Sequence, residues 1–418
     1  MNKSRLVVFP ILLAAALFLT GCGHPKGLYI EKGRLYKDGR AVYAVGTNYY
    51  SLFNRTYTNR ADTSGLHGLS LLAENGIPFV RFSATVYWPK EITEYMEGDS
   101  IAYWNNMDAV VKRAEKVGIG LIPSFFWTYT AIPDYLGEHL DSYMDDGSRT
   151  MAFLRQYVHK MVVRYKDSPA VWGWEFGNEH SLGVDFPPCK GGYVPACVPS
   201  LGTPEARDSV RDRYTRECML NAMKAFREEI RKYDKTRPIF TGNDVPRYCA
   251  WHNAKSDTPY VMDTPEENHE MIKIYESEAD TYTARGYYNY AEKDTPNFDP
   301  MQYYNLNIKE WPDFIKVYKQ WADEDGKPLF VGEFGAIDYW MKDPETPSQC
   351  WTRKDDIRAE WQKRFDAIVD NDIQLSAFWV YDYDPQNDGC NVSFDNQRSY
   401  VLAMALDANR RLIEKNNK

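Results

Sequence analysis

The chain has 418 residues, of which 44% are hydrophobic and 26% charged, and its formal net charge is −9 at pH 7. This hydrophobic fraction supplies a sizeable core, so the composition excludes a disordered or low-complexity protein. The acidic balance argues against a nucleic-acid partner, which would need a basic surface. The length fits either two medium domains or one large barrel with long loops. The aromatic surplus of 31 Tyr, 12 Trp and 19 Phe fits a bulky core, an interface or a sugar-stacking cleft.

The N-terminus has the pattern of an export signal. Lys3 and Arg5 give it a basic start, and residues 7–19 form an apolar run that is short for a bilayer span. No other stretch of the sequence is apolar enough to cross a membrane. We therefore expect residues 1–21 to be a signal peptide that is removed on export.

The signal ends in Leu-Thr-Gly followed by Cys22, which resembles the lipobox of bacterial lipoproteins. This resemblance implies that the chain is cut before Cys22 and that the thiol receives a lipid. Residues 22–40 are then expected to form an anchor segment and tether, and residues 41–418 a single domain. The expected location is the bacterial cell envelope, with membrane contact through the lipid only.

Metal and cofactor signals are missing from the sequence. The seven histidines are scattered without the spacing of a ligand set, and no Cys-x-x-Cys pair occurs. We expect neither a metal site nor a cofactor.

Eight β-rich runs alternate with amphipathic stretches along the chain. Strands are predicted at 41–49, 79–83, 119–126, 171–176, 238–242, 279–282, 328–333 and 375–381. Helices are predicted at 69–75, 102–117, 151–166, 208–233, 311–322, 355–370 and 399–415. With no linker between them, this alternation favours a single α/β domain, a (β/α)8 (TIM) barrel with long loops on its catalytic face. A doubly wound sheet is the rival, but no glycine-rich phosphate loop follows the first strand.

Two predicted strand ends carry a glutamate beside glycine and aromatic residues. The fourth strand runs into WEFGNE (174–179), and the seventh is PLFVGEFG (328–335). Strands four and seven lie on opposite sides of an eight-stranded ring, so Glu179 and Glu333 can face each other across its axis. Two carboxyl groups about 5–5.5 Å apart are the minimum apparatus for retaining hydrolysis of a glycosidic bond. We expect Glu175 to be a cap or an ion-pair partner instead.

The two motifs together resemble the signatures of glycoside hydrolase family five, which includes cellulases and β-mannanases in clan A of the barrel hydrolases. The resemblance covers residues 41–384. It implies that Glu179 is the general acid/base and that Glu333 is the nucleophile. It also implies that Asn178 hydrogen-bonds the sugar 2-hydroxyl and that Arg81 keeps the nucleophile ionised.

Further substrate-binding residues follow from the same resemblance and from aromatic placement. Trp379 resembles the strand-eight tryptophan that forms the floor of the cleavage subsite, and Tyr287 would donate to the nucleophile. Asn48 lies in a GTNYY segment that resembles the start of the family's mannanases. Trp127 and Trp340 lie on predicted catalytic loops, where aromatic faces can stack on pyranose rings.

Three positions depart from the family pattern. Arg285 stands where a histidine is usual, FFW (125–127) replaces the usual histidine after strand three, and His180 follows the acid/base where many members have proline. These departures indicate a divergent subfamily and leave the substrate open.

The expected function is hydrolysis of a β-linked glycan by a monomer, with β-mannan favoured and β-glucan next. The alternative is a noncatalytic glycan-binding surface lipoprotein on the same scaffold, which the departures keep open. A structural or interaction protein explains the aromatic residues but not the two glutamate motifs.

Overall fold

The computed structural model describes residues 24–185, 193–255, 261–286, 310–336, 357–386 and 389–416. The predicted positions Cys22, Tyr287 and Trp340 lie outside the described residues. In the part of the chain that is described, no helix combines the length and the apolar character needed to cross a membrane.

The described chain begins with a small antiparallel sheet of β1 (Tyr29–Glu31), β2 (Arg34–Lys37) and β3 (Arg40–Ala41). Leu28 and Leu35 are fully buried against residues of the barrel. The side-chain amide of Gln374 holds the sheet by bonding both the N–H (2.9 Å) and the C=O (3.0 Å) of Leu35. The segment expected to be a tether therefore packs, from residue 28 onward, as part of the fold.

Eight parallel strands follow and form a nearly closed barrel, which confirms the predicted architecture. Hydrogen-bonded neighbours run from the fifth barrel strand back to the first, and then from the eighth back to the sixth. The strands are β4 (Ala44–Asn48), β5 (Phe79–Ser83), β6 (Gly120–Phe126), β7 (Trp174–Gly177), β8 (Ile239–Phe240), β9 (Tyr282–Gly286), β10 (Leu329–Phe334) and β11 (Leu375–Phe378).

The seam of the barrel lies between β8 and β9, where no ladder forms. Asp280 bridges it: its backbone N–H donates to the C=O of Ile239 (2.9 Å), and its carboxylate accepts from the N–H of Ile239 (2.8 Å).

Helices surround the barrel and, with shorter turns, connect its strands. A π-helical turn spans Ile92–Glu97. The α-helices are α1 (Ser51–Thr58), α2 (Ser64–Glu74), α3 (Pro89–Glu91), α4 (Ser100–Val117), α5 (Ala131–Leu136), α6 (Arg149–Tyr165), α7 (Arg216–Tyr233), α8 (Ala250–Lys255), α9 (Pro265–Tyr275), α10 (Trp311–Glu324), α11 (Ile357–Asp370) and α12 (Tyr400–Asn416).

Local capping explains where helices begin and end. Gly118 ends α4 in the left-handed conformation (φ 76°), and its N–H bonds to the C=O of Ala114 (2.8 Å). The helix therefore stops at residue 117, as predicted. The helix predicted at 208–233 begins only at Arg216, because the side chain of Thr215 caps it by accepting from the N–H of Cys218 (3.2 Å).

The interior of the barrel is divided into an apolar layer and a charged layer. The apolar layer fills the end where the strands begin and includes Phe79, Ile122, Phe240, Phe330 and Leu375. Toward the ends of the strands the interior becomes ionic, with Arg81, Glu175 and Arg285 each fully buried. The buried charged residues thus lie at the carboxyl-terminal end of the strands, which is the catalytic face of a (β/α)8 barrel.

Candidate active site

Sheet register brings the charged residues together. Asn48 on β4 lies opposite Arg81 on β5, and Glu333 on β10 lies opposite Arg285 on β9. The register of β9 and β10 shifts just before Glu333. All four residues sit within the last three positions of their strands, so their side chains meet at one end of the barrel.

Arg81 is the centre of this cluster. Its Nε donates to Oε1 of Glu175 (2.5 Å), and its Nη1 donates to Oε1 of Glu333 (2.7 Å). Nη1 also donates to Oδ1 of Asn48 (2.8 Å), and Nη2 donates to Oδ1 of Asn178 (3.0 Å). The guanidinium is fully buried and paired with two carboxylates, so it does not form the exposed ion pair of an ordinary surface arginine.

Asn48, predicted to bind substrate, is also fully buried. Its amide N–H groups donate to backbone carbonyls, at 3.0 Å for Gly332 and 3.2 Å for Ala377, while its oxygen accepts from Arg81. These bonds fix the side chain of Asn48 between the barrel wall and Arg81, and its role in substrate binding stays a prediction.

Arg285 supplies the second cation of the site. Its Nη1 hydrogen-bonds to Oε1 of Glu333 and donates to Oδ1 of Asn178 (2.5 Å). The same nitrogen is 4.0 Å from Oε1 of Glu179. The strand predicted at 279–282 is found at Tyr282–Gly286, so it begins three residues later and ends four residues later. The buried Arg285 interrupts the hydrophobic pattern that marks a strand.

Glu333 therefore receives hydrogen bonds from two guanidinium groups while only 3% of the residue is exposed. Both donors are cations that bond directly to the same oxygen, so they hold the carboxyl group of Glu333 in a fixed orientation.

Glu179 occupies a turn with a special backbone. Its φ of 52° lies in the left-handed region, which non-glycine residues adopt at a cost of about 1–3 kcal/mol. The N–H of Glu179 donates to the C=O of Gly242 (2.8 Å), which holds the turn against the loop after β8. Its side chain keeps 28% exposure, so it faces the open end of the barrel.

The environment of Glu179 raises its pKa to about 7, first through burial and then through the negative charge of Glu333. Arg285 and Arg81 act in the opposite direction, because each cation stabilises the ionised form. At neutral pH this carboxyl is thus held close to the midpoint of its titration, where it can both give and take a proton.

Asn178 connects the two halves of the site. Its side-chain oxygen accepts from both arginines, and its Nδ2 is 3.5 Å from Oε2 of Glu179. The residue is partly exposed, which leaves it able to contact a ligand as predicted.

Aromatic residues form one wall beside the charged cluster. The guanidinium carbon of Arg81 lies 4.8 Å from the ring centre of Trp127, and Trp127 lies 4.6 Å from Tyr50 and 6.0 Å from Trp379. The indole N–H of Trp379 donates to the side chain of Gln386 (2.7 Å). The two predicted tryptophans thus lie together, with Tyr50 of the GTNYY segment as their neighbour.

His180 is buried and structural. Its two ring nitrogens lie 2.8 Å from the hydroxyl of Tyr214 and 2.7 Å from the C=O of Phe126. Burial lowers its pKa to about 4, so the imidazole stays neutral and joins the turn of Glu179 to β6.

One group in the described part of the chain has the proximity of metal ligands. The candidate atoms of His252, Asp263 and Glu267 lie within 4.8 Å of one another. Hydrogen bonds already account for this grouping: Asp263 accepts from the ring of His252 (2.9 Å), and Glu267 caps α9 by accepting from the N–H of Thr264 (2.8 Å). His252 lies on α8 and Glu267 on the first turn of α9, both in the connection between β8 and β9.

Sequence reasoning missed one acidic residue at this end of the barrel. Asp244 lies in the loop after β8, is 5% exposed, and interacts electrostatically with Glu179, Arg285 and Glu333. A signal existed, since Asp244 follows the predicted fifth strand by two positions, where barrel enzymes carry functional residues.

Comparison with known proteins gives the class of the molecule. Residues 42–384 match the family model described as cellulase (glycosyl hydrolase family 5). The chain belongs to this family and carries a glycoside hydrolase domain, in agreement with the resemblance of its two glutamate motifs.

Individual relatives are named as mannan-degrading enzymes. A probable mannan endo-1,4-beta-mannosidase A from Aspergillus clavatus is 32% identical over 202 residues, covering 46% of this chain and 51% of the relative. A probable mannan endo-1,4-beta-mannosidase C from Aspergillus terreus is 30% identical over 215 residues, covering 43% and 51%. The chain thus spans about half the length of these curated relatives.

Solved structures agree on the fold. An endo-1,4-beta-mannanase from Rhizomucor miehei superposes with a TM-score of 0.59 at 17% identity, covering 93% of this chain and 99% of that one. An exo-beta-1,4-mannosidase from an Opitutaceae bacterium gives 0.56 at 15% identity, covering 92% and 63%. At these identities the likeness concerns the barrel alone.

Proposed function

We propose that the protein is a retaining β-glycoside hydrolase in which Glu333 is the nucleophile and Glu179 the general acid/base. One observation carries the proposal: a single nitrogen, Nη1 of Arg285, bonds Glu333 and is 4.0 Å from Glu179. Because both carboxyls lie beside this one nitrogen, the distance between them is compatible with the separation of about 5–5.5 Å that double displacement requires.

The reaction proceeds in two displacements. First, Glu333 attacks the anomeric carbon, the glycosidic bond breaks, and Glu179 gives its proton to the leaving oxygen. The product of this step is a glycosyl ester on Glu333. Then Glu179, now ionised, takes a proton from water as the water attacks the anomeric carbon and releases Glu333.

The electrostatic arrangement supports this division of roles. Glu333 accepts hydrogen bonds from two cations, Arg81 and Arg285, which orient its carboxyl group for attack. Glu179 has a pKa raised to about 7, which suits a group that must be protonated first and ionised afterwards. Once Glu333 is esterified its charge disappears, so the proton affinity of Glu179 falls as the second step begins.

The substrate class we propose is β-mannan, with β-glucan as the next candidate. The proposal rests on the relatives named as mannan endo-1,4-beta-mannosidases, together with the aromatic wall of Tyr50, Trp127 and Trp379. Asn178 is proposed to bond the sugar 2-hydroxyl, because it is partly exposed between the two carboxyls.

We also propose that the protein is a monomer anchored in the bacterial cell envelope through a lipid on Cys22. Incorporation of labelled fatty acid into the wild type, and its loss in Cys22→Ser, would test the anchor. Light scattering of the unlipidated chain would test the monomer.

The function is tested by assaying the purified protein on β-mannans, β-glucans and aryl β-glycosides, with Glu333→Gln as the matched control. We expect hydrolysis of β-mannan by the wild type and loss of hydrolysis in the variant. Equal turnover by both proteins would contradict the role of Glu333. Binding to β-mannan without turnover of any substrate would favour the noncatalytic alternative.

A further inference from the structure

Asp244 is a buried carboxyl without a cation of its own. Its Oδ1 accepts from the N–H of Val245 (2.7 Å), while its second oxygen makes no hydrogen bond to a residue that the structure describes. No lysine, arginine or histidine in the described ranges forms an ion pair with it. The neighbouring cation on its own loop, Arg247, donates instead to the C=O of Leu182 (2.5 Å).

The loop that carries Asp244 is clamped to the turn of Glu179 by three hydrogen bonds. Besides the bond from Glu179 to Gly242, the N–H of Ser181 donates to Oδ1 of Asn243 (3.2 Å), and the hydroxyl of Ser181 donates to the C=O of Asp244 (2.9 Å). Asp244 is therefore held beside the proposed acid/base rather than free to turn away from it.

The carboxyl groups near Asp244 outnumber the cations that can pair with them. The described residues that interact here are five carboxyls, of Glu175, Glu179, Asp244, Glu276 and Glu333, and two guanidinium groups, of Arg81 and Arg285. Their closest pairings are Arg81 with Glu175 (2.5 Å), and Arg81 and Arg285 with Glu333. Glu276 also interacts with Lys327 and accepts from the hydroxyl of Thr241 (2.7 Å). Glu179 and Asp244 remain without a cation in hydrogen-bond contact among the described residues.

Of these two, Glu179 is 4.0 Å from Arg285, and its side chain is 28% exposed. Asp244 forms no ion pair with a described residue and is only 5% exposed. Removing a carboxylate from water without a partner is costly, and such groups keep their proton instead. Burial and the charge of Glu179 accordingly raise the pKa of Asp244 well above its ordinary value, while Arg285 opposes them and Glu333 adds to them.

We propose that Asp244 is a positioning residue that stays a neutral carboxylic acid in the working enzyme and so keeps a further negative charge away from Glu179. The proposal rests on the proposed role of Glu179 as acid/base. A fixed negative charge at Asp244 would hold the proton on Glu179 too tightly for release to the leaving oxygen. A neutral group at the same place lets Glu179 change charge in each half of the cycle.

Infrared difference spectroscopy at pH 7 tests the charge state without any substrate. Asp244→Asn is nearly isosteric and neutral. The control is Asp234→Asn, because Asp234 has the same 5% exposure but pairs with Arg237 (2.8 Å). The difference between the wild type and Asp244→Asn should contain the C=O band of a protonated carboxyl, whereas the control should lose carboxylate bands. Loss of carboxylate bands in Asp244→Asn would overturn the proposal.

Coupling to Glu179 is tested by following the same band with pH. In Glu179→Gln the midpoint of the Asp244 band should move to lower pH, by at least about half a pH unit, because the neighbouring negative charge is gone. An unchanged midpoint would show that Asp244 has only a structural role. If the wild type has no glycosidase activity, both spectra can still be recorded, so the two proposals fail separately.

Discussion

Arg81 and Glu333 lie 252 positions apart in the chain, yet Nη1 of the arginine is 2.7 Å from Oε1 of the glutamate. The barrel produces this contact because parallel strands end on one face, and β5 and β10 both place a charged side chain there. The same guanidinium holds Glu175 at 2.5 Å. One buried cation thus fixes two carboxylates, and the predictions below follow from the balance of charge around it.

Arg81→Lys should lower kcat on β-mannan by about 10²-fold, measured by release of reducing sugar. Lysine keeps the charge but lacks the planar fork that reaches Glu175, Glu333 and Asn178 together. The melting temperature should be recorded beside it, so that loss of activity is separated from loss of fold. Wild-type activity in a folded Arg81→Lys would show that the fork is dispensable.

Glu179→Gln should distinguish substrates by their leaving groups. Hydrolysis of β-mannan should fall by about 10²–10⁴-fold in kcat/KM, because the sugar oxygen leaves only with a proton. An aryl β-mannoside with an acidic phenol releases the phenolate without needing a proton, so its kcat/KM should fall far less. Equal losses on both substrates would contradict the acid role of Glu179.

The pH profile of kcat/KM should have an alkaline limb near pH 7. Glu179 must be protonated in the first step, and burial together with Glu333 raises its pKa to about 7. Activity therefore falls as pH rises through that value. A limb that stays above pH 9 in the wild type would assign the proton to another group.

Arg285→Gln should move this limb to higher pH and lower kcat. The arginine lowers the pKa of Glu179 and bonds Glu333, so removing its charge stabilises the protonated acid and weakens the ionised nucleophile. Arg285→Lys is the matched control, because it keeps the charge and should leave the limb closer to its wild-type position. A limb that moves to lower pH in Arg285→Gln would reverse the proposed sign.

His180 should make the fold less stable in acid. Burial lowers its pKa from 6.5 to about 4, so its contribution to stability is complete above pH 6.5 and is lost as pH falls toward 4. Between pH 7 and 5 the wild type should lose about 2 kcal/mol more than His180→Gln, from about 1.4 kcal/mol per pH unit. Urea unfolding at both values measures this difference, and equal losses in both proteins would contradict the neutral buried imidazole.

The barrel is predictable from the sequence because each strand and helix has a characteristic hydrophobic periodicity. Residues such as Gly118 also mark where helices end. Strand six was misplaced by three residues, since its end contains Arg285, and a buried charge is invisible to a hydrophobic pattern. The N-terminal sheet was missed for a related reason: its strands are short and mostly polar, and Leu28 and Leu35 are buried only by contact with the barrel.

The sequence predicts the roles of Glu179 and Glu333 because strand ends and family motifs mark both residues. The partners that set their charge could not all be identified, because they come together only through sheet register. The bond from Arg81 to Asn48, for example, forms because β4 and β5 pair at these two positions. Asp244 carries no motif, and its placement beside Glu179 depends on hydrogen bonds from Ser181 to a loop more than 60 positions away.

The most direct test of the central claim is the configuration of the first product. Hydrolysis of a β-1,4-mannooligosaccharide should be followed by proton NMR from the first minutes, before the anomers equilibrate. Double displacement through Glu333 predicts that the β-anomer appears first and that the α-anomer grows in later. Initial appearance of the α-anomer would contradict the retaining mechanism and the assignment of Glu333 as nucleophile.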